Sequence, residues 1–579
     1  MRAQFHVAVA LLYSGVAVAT STPKVVDKTR DVTYAGLERN GIEVFLNIPY
    51  GQDTGGANRF KPPKPYVAAA GSTIEAKSYG PSCPQQLGGW TPPISLGNIT
   101  DISEDCLNLN IARPKGACAG DHLPVMVYIH GGSFWAGDNH EPTILPDGMI
   151  LESEKNGLPI IHVALNYRLG FFGFAQSDAL ETEGSENAGL RDQRLAIEWV
   201  RDNIGHFGGD GNKITIFGQS SGGLSIGMQI MAYGGSKPVP FQQGICQSQA
   251  LEPGITGNFT IDAMRLLVDY VGCNKTDLHS AETVACLRDF DTQTLLSASL
   301  DTYVADIAHN IGDIWLPVVD GDFLPAAPSQ LIREHRFAKV TTMIGWCEDD
   351  VTFFTDTTIT TPADTSAFIS SYVPGVTPEN IEHLLSLYPV SDFTADPAAT
   401  NFSSEFFRAA RIFRDIIMVC QPIWYGDHIA AAGNDVYLYN WNQTILDAVL
   451  ESITNETGFG SIHTAEFAYI FGNLSHYDIN GYPFNPAPED YELRDRGSRS
   501  WSTFASVGKP GLKKRNTFQG VKKAFPSGGD DVYIFVAGGP HEGLSAIDGP
   551  HSTEALREQK LRERCGFINS PEMIEQLRY

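Results

Sequence analysis

Basic residues are scarce in this 579-residue chain: 41 Lys and Arg stand against 67 Asp and Glu, a formal net charge of −26 at neutral pH. A surface of that sign repels phosphate backbones, which excludes nucleic acid and anionic membranes as partners. It says nothing about a neutral substrate. Beyond the first two dozen residues no apolar run is long enough to span a bilayer. None of the nine cysteines forms a Cys-x-x-Cys pair, so the common zinc pattern is missing and no metal or organic cofactor is expected. No repeat, Pro/Ser-rich linker or block of like charge divides the chain. What remains, 42% hydrophobic and 19% charged, is the composition of a globular protein with a sizeable core. One large domain over residues 20–579 is expected.

The first residues have a different character. Arg2 precedes an apolar stretch from Val7 to Ala19 that is too short for a membrane span and ends in Ala17-Val18-Ala19. That order of charge, apolar run and small residues marks a signal peptide over residues 1–19, cleaved after Ala19, and hence a secreted protein. Secretion makes the Asn-x-Ser/Thr sequons meaningful as glycan acceptors: Asn98, Asn258, Asn274, Asn401, Asn442, Asn455 and Asn473. It also allows disulfides, although an odd number of cysteines leaves at least one thiol unpaired within the chain.

Short runs that are apolar on both faces recur at Leu123 to Ile129, Ile160 to Leu165, Ile214 to Phe217, Val340 to Ile344, Val436 to Tyr439 and Val532 to Val536. Such runs suit the buried centre of a mostly parallel sheet. Between them, Asp192 to Asn203 carries helical spacing of Leu195, Ala196, Trp199 and Val200. The pattern predicts an α/β architecture with helices on both faces of the sheet, and active residues at the carboxyl ends of the strands.

One strand end carries Gly218-Gln219-Ser220-Ser221-Gly222, between Lys213-Ile214-Thr215-Ile216-Phe217 and a helical stretch beginning at Leu224. A serine on so sharp a turn is exposed to a base, and its following N–H can meet an oxyanion. Glycines two residues to either side permit the close backbone approach this turn needs. A second strand end reads His130-Gly131-Gly132-Ser133-Phe134, where consecutive glycines leave backbone donors bare for developing negative charge. An acidic triplet, Glu348-Asp349-Asp350, follows the run Val340 to Ile344, where such a fold delivers its acid, and the order serine, acid, histidine then leaves six candidate bases: His383, His428, His463, His476, His541 and His551. Spacing alone does not choose among them, though His541, after the last apolar run and Gly538-Gly539, holds a reasonable generic position.

Together with Phe45 to Gly51, Ser103 to Asn110, Asn166 to Gly170 and Asn203 to Asp210, these motifs make nearly the whole mature chain resemble the type-B carboxylesterase/lipase family of α/β-hydrolases, and secreted fungal members in particular. The resemblance implies the α/β-hydrolase fold and carboxylic ester hydrolysis through an acyl-enzyme. It places Ser220 as nucleophile and, by the register of Gly345 to Phe354, Asp350 as triad acid. Aspartate and the following Val351 depart from the family's usual Glu-Gly, so Glu348 and Asp349 stay open as alternatives. The stretch His463 to Gly472 matches the family's histidine segment and points to His463 as base, with His541 second. Backbone N–H groups of Gly132, Ser133 and Ser221 would form the oxyanion hole, with serines where glycine and alanine are usual, and Gln219 stands where glutamate is frequent.

The resemblance also pairs Cys83 with Cys106 and Cys273 with Cys286. The first pair closes a loop containing Leu87, Trp90 and Leu96, which acts as a mobile lid in lipase-like relatives. The substrate is thus expected to be a small-molecule or lipid ester. Serine carboxylesterase is the leading expectation; a glyceride lipase, a specialised-metabolite esterase or acyltransferase, and, remotely, a non-catalytic binding protein are the alternatives.

Overall fold

The computed structural model describes residues 22–89, 92–306, 314–394, 400–526 and 530–579. The leader segment and Trp90 lie outside them. Eleven strands form the central sheet: β1 (Leu37–Arg39), β2 (Ile42–Pro49), β3 (Asn108–Pro114), β4 (Leu123–Ile129), β5 (Ile161–Leu165), β6 (Gly209–Gln219), β7 (Gln243–Gln247), β8 (Thr341–Cys347), β9 (Val436–Trp441), β10 (Tyr533–Ala537) and β11 (Gly543–Ala546). Their spatial order is β11-β10-β9-β8-β7-β6-β4-β5-β3-β2-β1. The run from β10 through β5 is parallel, while β11 and the β3-β2-β1 side are antiparallel. All six apolar runs read from the sequence lie in this sheet, with ends shifted by a few residues.

The two-sided burial of those runs follows from the period of a strand. Val125, Val127 and Ile129 of β4 enter one core, whereas Met126 and Tyr128 enter the other. Helix α1 (Ala188–Asn203) and helix α2 (Ser221–Met231) cover the first face, and α3 (Pro488–Val507) lays Leu493, Trp501 and Phe504 against the second. Every residue of α2 is buried. Burying side chains such as Ile226, Met228 and Ile230 contributes about 1.5–3 kcal/mol each. The helix sits close because Gly223 lies directly on the strand-end backbone: a Cβ there would stand 2.6 Å from Gln249 O. In α1, Asp192 takes a two-pronged ion pair from Arg168, both contacts 2.7 Å, so a charge with no exposed surface is fully matched.

The segment after β8, which carries no strong sequence pattern, folds as helices Pro362–Tyr372 and Pro378–Leu387, started by Thr361 and Thr377 side-chain caps. Helix Ser404–Arg414 then passes through a π-helical turn at Asp415–Val419 into Cys420–Ala431. Because the central strands are parallel, the carboxyl ends of β4, β6 and β8 open on one edge of the sheet.

Candidate active site

Ser220 stands alone between β6 and α2 with φ 60° and ψ −134°, a conformation that costs a non-glycine residue about 1–3 kcal/mol. The surroundings hold it there. Its N–H donates to Gln247 O at 2.9 Å and its carbonyl accepts from Leu224 N at 2.9 Å. A Cβ on Gly218 would lie 2.6 Å from Ile129 O, and one on Gly222 would strike the same carbonyl.

The turn after β8 supplies the acidic triplet, and the three carboxylates part company. Asp350, with no exposed surface, places Oδ1 2.5 Å from His463 Nδ1 and accepts from Cys347 N through Oδ2 at 2.9 Å. A main-chain bond from His463 N to Asp350 O, 3.1 Å, fixes the two segments together. Glu348 turns away to Arg411 and to Gln559, whose amide lies 2.6 Å from it, and its carbonyl accepts from Arg414 at 2.7 Å. Asp349 accepts from Ser461 N at 3.1 Å. Burial pushes both carboxyls above their ordinary range, and Arg411 opposes that rise. His541 lies on the β10–β11 turn, 3.8 Å from Glu554. β10 is four strands from β6, roughly 19 Å at ordinary strand spacing, while the chain after β9 folds back to bring His463 over the end of β8.

His463 is 3% exposed, and the Phe354 ring stands edge-on with centroids 5.4 Å apart. Its Nε2 lies 3.0 Å from Gln219 Nε2. Among the described residues Ser220 Oγ has no hydrogen bond to it. Glu466, three residues on, accepts from Gln247 at 3.1 Å and from the Cys347 thiol at 3.2 Å, closing a buried network behind the histidine.

In the second strand-end loop, Gly132, Ser133 and Phe134 have φ of 105°, 53° and 59°. Ser133 therefore keeps a left-handed backbone without being glycine, at about 1–2 kcal/mol. None of the N–H groups of Gly132, Ser133 and Ser221 donates to a protein acceptor among the described residues. The Ser221 side chain has a part that the sequence reading missed: Oγ accepts from Phe134 N at 3.2 Å, tying this loop to the first turn of α2. The alanine usual at that position has no atom for this bond.

Beside these groups lies a narrow cleft of about 70 Å³, lined by Gly131, Gly132, Gln219 and Phe467 on one wall and by Ile94 and Gly97 on the other. The second wall belongs to the loop closed by the Cys83–Cys106 disulfide. Glu141 holds that wall down: its carboxylate accepts from Ser95 Oγ (2.6 Å), Leu96 N (2.8 Å) and Gly97 N (2.8 Å). Burial raises the pKa of this carboxyl, against the pull of its donors. The structure also joins Cys273 to Cys286, and Cys420 to Cys565, a bond across 145 residues with no signature in the cysteine spacing. Cys118, Cys246 and Cys347 carry free thiols. No helix among the described residues is long and apolar enough to cross a membrane.

A mostly parallel sheet with helices on both faces, and a serine elbow beside a buried histidine–carboxylate pair, define the serine-hydrolase class of α/β-hydrolases. The chain belongs to the carboxylesterase family, whose family model matches residues 17–527. It is 57% identical over 97% of its length to a secreted lipase of Arthroderma benhamiae, of which 97% is covered. Lipase 5 of Diutina rugosa is 37% identical over 66% of this chain and 72% of that protein. An inactive carboxylesterase-like protein of Byssochlamys spectabilis is 35% identical over 95% of this chain and 94% of its own. The crystal structure of Aspergillus niger EstA shares the fold, with TM-score 0.76 at 23% identity over 96% of this chain and 99% of that one.

Proposed function

We propose that this secreted carboxylic ester hydrolase works through Ser220, His463 and Asp350. The observation that carries the assignment is the buried contact between Asp350 Oδ1 and His463 Nδ1. That contact puts the ring proton on Nδ1 and leaves Nε2 as the lone pair that takes the Ser220 proton when the hydroxyl attacks an ester carbonyl. Negative charge on the tetrahedral oxygen meets the unengaged N–H groups of Gly132, Ser133 and Ser221, each worth a few kcal/mol when preorganised in a dry site. The imidazolium then protonates the leaving alcohol, and a water activated by the same ring releases the acid. Secretion is supported by the named relative and by three disulfides.

Sequence similarity to a protein described as inactive makes the residues decisive rather than the family. Labelling Ser220 with an aryl phosphonate, and its loss in Ser220→Ala together with turnover of short aryl esters, tests the assignment. Undiminished turnover in the alanine variant overturns it, and an unlabelled wild type would revive the binding-protein reading.

Within ester hydrolysis, a lipase reading is favoured by the disulfide loop forming one wall of the cleft and by the lipase names of the relatives. It requires rates that climb with acyl length and jump at an oil–water interface. A steady decline beyond short acyl chains with no jump supports the esterase reading, or a specialised ester substrate.

A further inference from the structure

Catalysis as proposed needs the lone pair on His463 Nε2, and in this structure that lone pair is already engaged. Asp350, 2.5 Å from Nδ1, fixes the proton there, so Nε2 of the neutral ring is an acceptor. The amide nitrogen of Gln219 at 3.0 Å donates to it. The adjacent Ser220 hydroxyl makes no such bond among the described residues. Gln219 is the last residue of β6, in register with Gln247 of β7, and is 3% exposed. Its carbonyl packs on the loop after β4, where a Cβ on Gly131 would stand 2.5 Å away. The backbone is therefore fixed, and only the side chain can leave the histidine.

We infer that Gln219 is a positioning residue that holds His463 in a resting hydrogen bond and competes with Ser220 for Nε2, so that attack on the ester requires one bond to be exchanged for the other. This rests on the Ser220 and His463 assignment above. An amide suits the task because it has two faces. Its NH2 donates to the neutral ring, and after a flip its oxygen accepts from the imidazolium. A carboxylate has no proton for the neutral ring and favours the charged one alone.

The other groups around the histidine leave this role to Gln219. Asp350 is committed to Nδ1. Glu466 is held by Gln247 and the Cys347 thiol, and Glu348 and Asp349 are turned to Arg411 and Ser461. Across the cleft, Glu141 accepts from the Ser95 hydroxyl and the Leu96 and Gly97 N–H groups, Asp138 accepts from Ser82, and His130 Nδ1 faces Gly131 O. Phe354 offers only a ring edge.

The test uses the full-length secreted protein with Gln219→Met, which keeps the length of the side chain without its donor, and Gln219→Glu. Two quantities are read between pH 5 and 8: the second-order rate of Ser220 phosphonylation, with the site verified by mass spectrometry, and the ¹⁵N shift of His463 Nε2. With the competitor removed, Gln219→Met should label at least about three-fold faster at pH 7 and change the Nε2 shift. Gln219→Glu should raise the pH of half-maximal labelling by about one unit. Labelling of Gln219→Met at or below the wild-type rate overturns the competition, and an unmoved acid limb in Gln219→Glu overturns the contact itself. A wild type that fails to label overturns the Ser220 assignment instead, which keeps the two failures apart.

Discussion

Asp350 and His463 lie 113 positions apart in the chain, yet their side chains meet at 2.5 Å and their backbones share a further hydrogen bond of 3.1 Å. The neighbouring Glu348 and Asp349 also carry carboxyl groups, yet they make neither contact. Asp350→Asn should therefore lower kcat by about 10³–10⁴, because an amide donating to Nδ1 forces the wrong tautomer. Glu348→Gln should leave most of the turnover of correctly folded molecules. Its cost falls on stability, about 3 kcal/mol, as the half-buried Arg411 and the buried Arg414 lose a countercharge. Steady-state kinetics beside denaturant melts separate the two effects, and equal kcat losses in both variants would contradict the geometry.

The clasp between Glu141 and Ser95–Gly97 predicts a loop whose opening can be measured. Glu141→Gln has one acceptor oxygen where the carboxylate has two, so at least one of the three donors loses its partner. Amide exchange at Leu96 and Gly97 should accelerate about ten-fold or more, corresponding to roughly 1.4 kcal/mol or more of lost closure. Unchanged exchange would mean that packing, rather than Glu141, holds the loop.

Glu186 gives a pH signature away from the site. Burial, with Glu181, Asp320 and Asp178 nearby, pushes its carboxyl up to about 8 from an ordinary 4.5. A carboxyl raised on folding favours the folded state while it is protonated, so its stabilising contribution is complete below about pH 4.5 and is lost as pH rises toward 8. Glu186→Gln mimics the protonated form. The variant should match wild type near pH 4 and exceed it at pH 8 by on the order of a few kcal/mol. Melting temperatures across that range check it.

Cys420–Cys565 closes the longest loop of the three disulfides, its ends 145 positions apart in the chain. A paired Cys420→Ser, Cys565→Ser variant should lose about 4–5 kcal/mol, chiefly through a freer unfolded chain. Opening Cys273–Cys286, across 13 residues, should cost less, about 3 kcal/mol. Chemical denaturation of each variant measures the difference.

Among the sequons, Asn98, Asn258, Asn274, Asn401 and Asn455 are exposed, whereas Asn442 and Asn473 are half-buried. Glycopeptide mass spectrometry should find high occupancy on the exposed group and low occupancy at Asn473, whose side-chain oxygen accepts from Ser475 of its own sequon at 2.7 Å.

Six of the strands were legible because two-sided burial writes itself as an uninterrupted apolar run, and Ser220 because its turn needs glycine two residues to either side; the buried β3 and β7 were not, because Asn108, Asn110 and Arg113 break the first run and Gln243 and Gln247 bound the second. Gly209 to Lys213 of β6 and the three-residue β1 escaped because they are polar or half-exposed and carry no such signal. The triplet could not be resolved from its own residues. What sorts it is Arg411, Arg414 and Gln559, delivered by helices remote in sequence. The same holds for Gln219, whose partner at Nε2 is set by how the chain after β9 folds back.

Ser220 occupies a backbone conformation that glycine would adopt without strain. At this one position, then, stability and reactivity pull in opposite directions. Ser220→Gly would relax the elbow and silence the chemistry, so random drift has a downhill path toward an inert, sturdier protein. On the proposed assignment, the strain held at this serine is the structural cost of placing a nucleophile on the elbow.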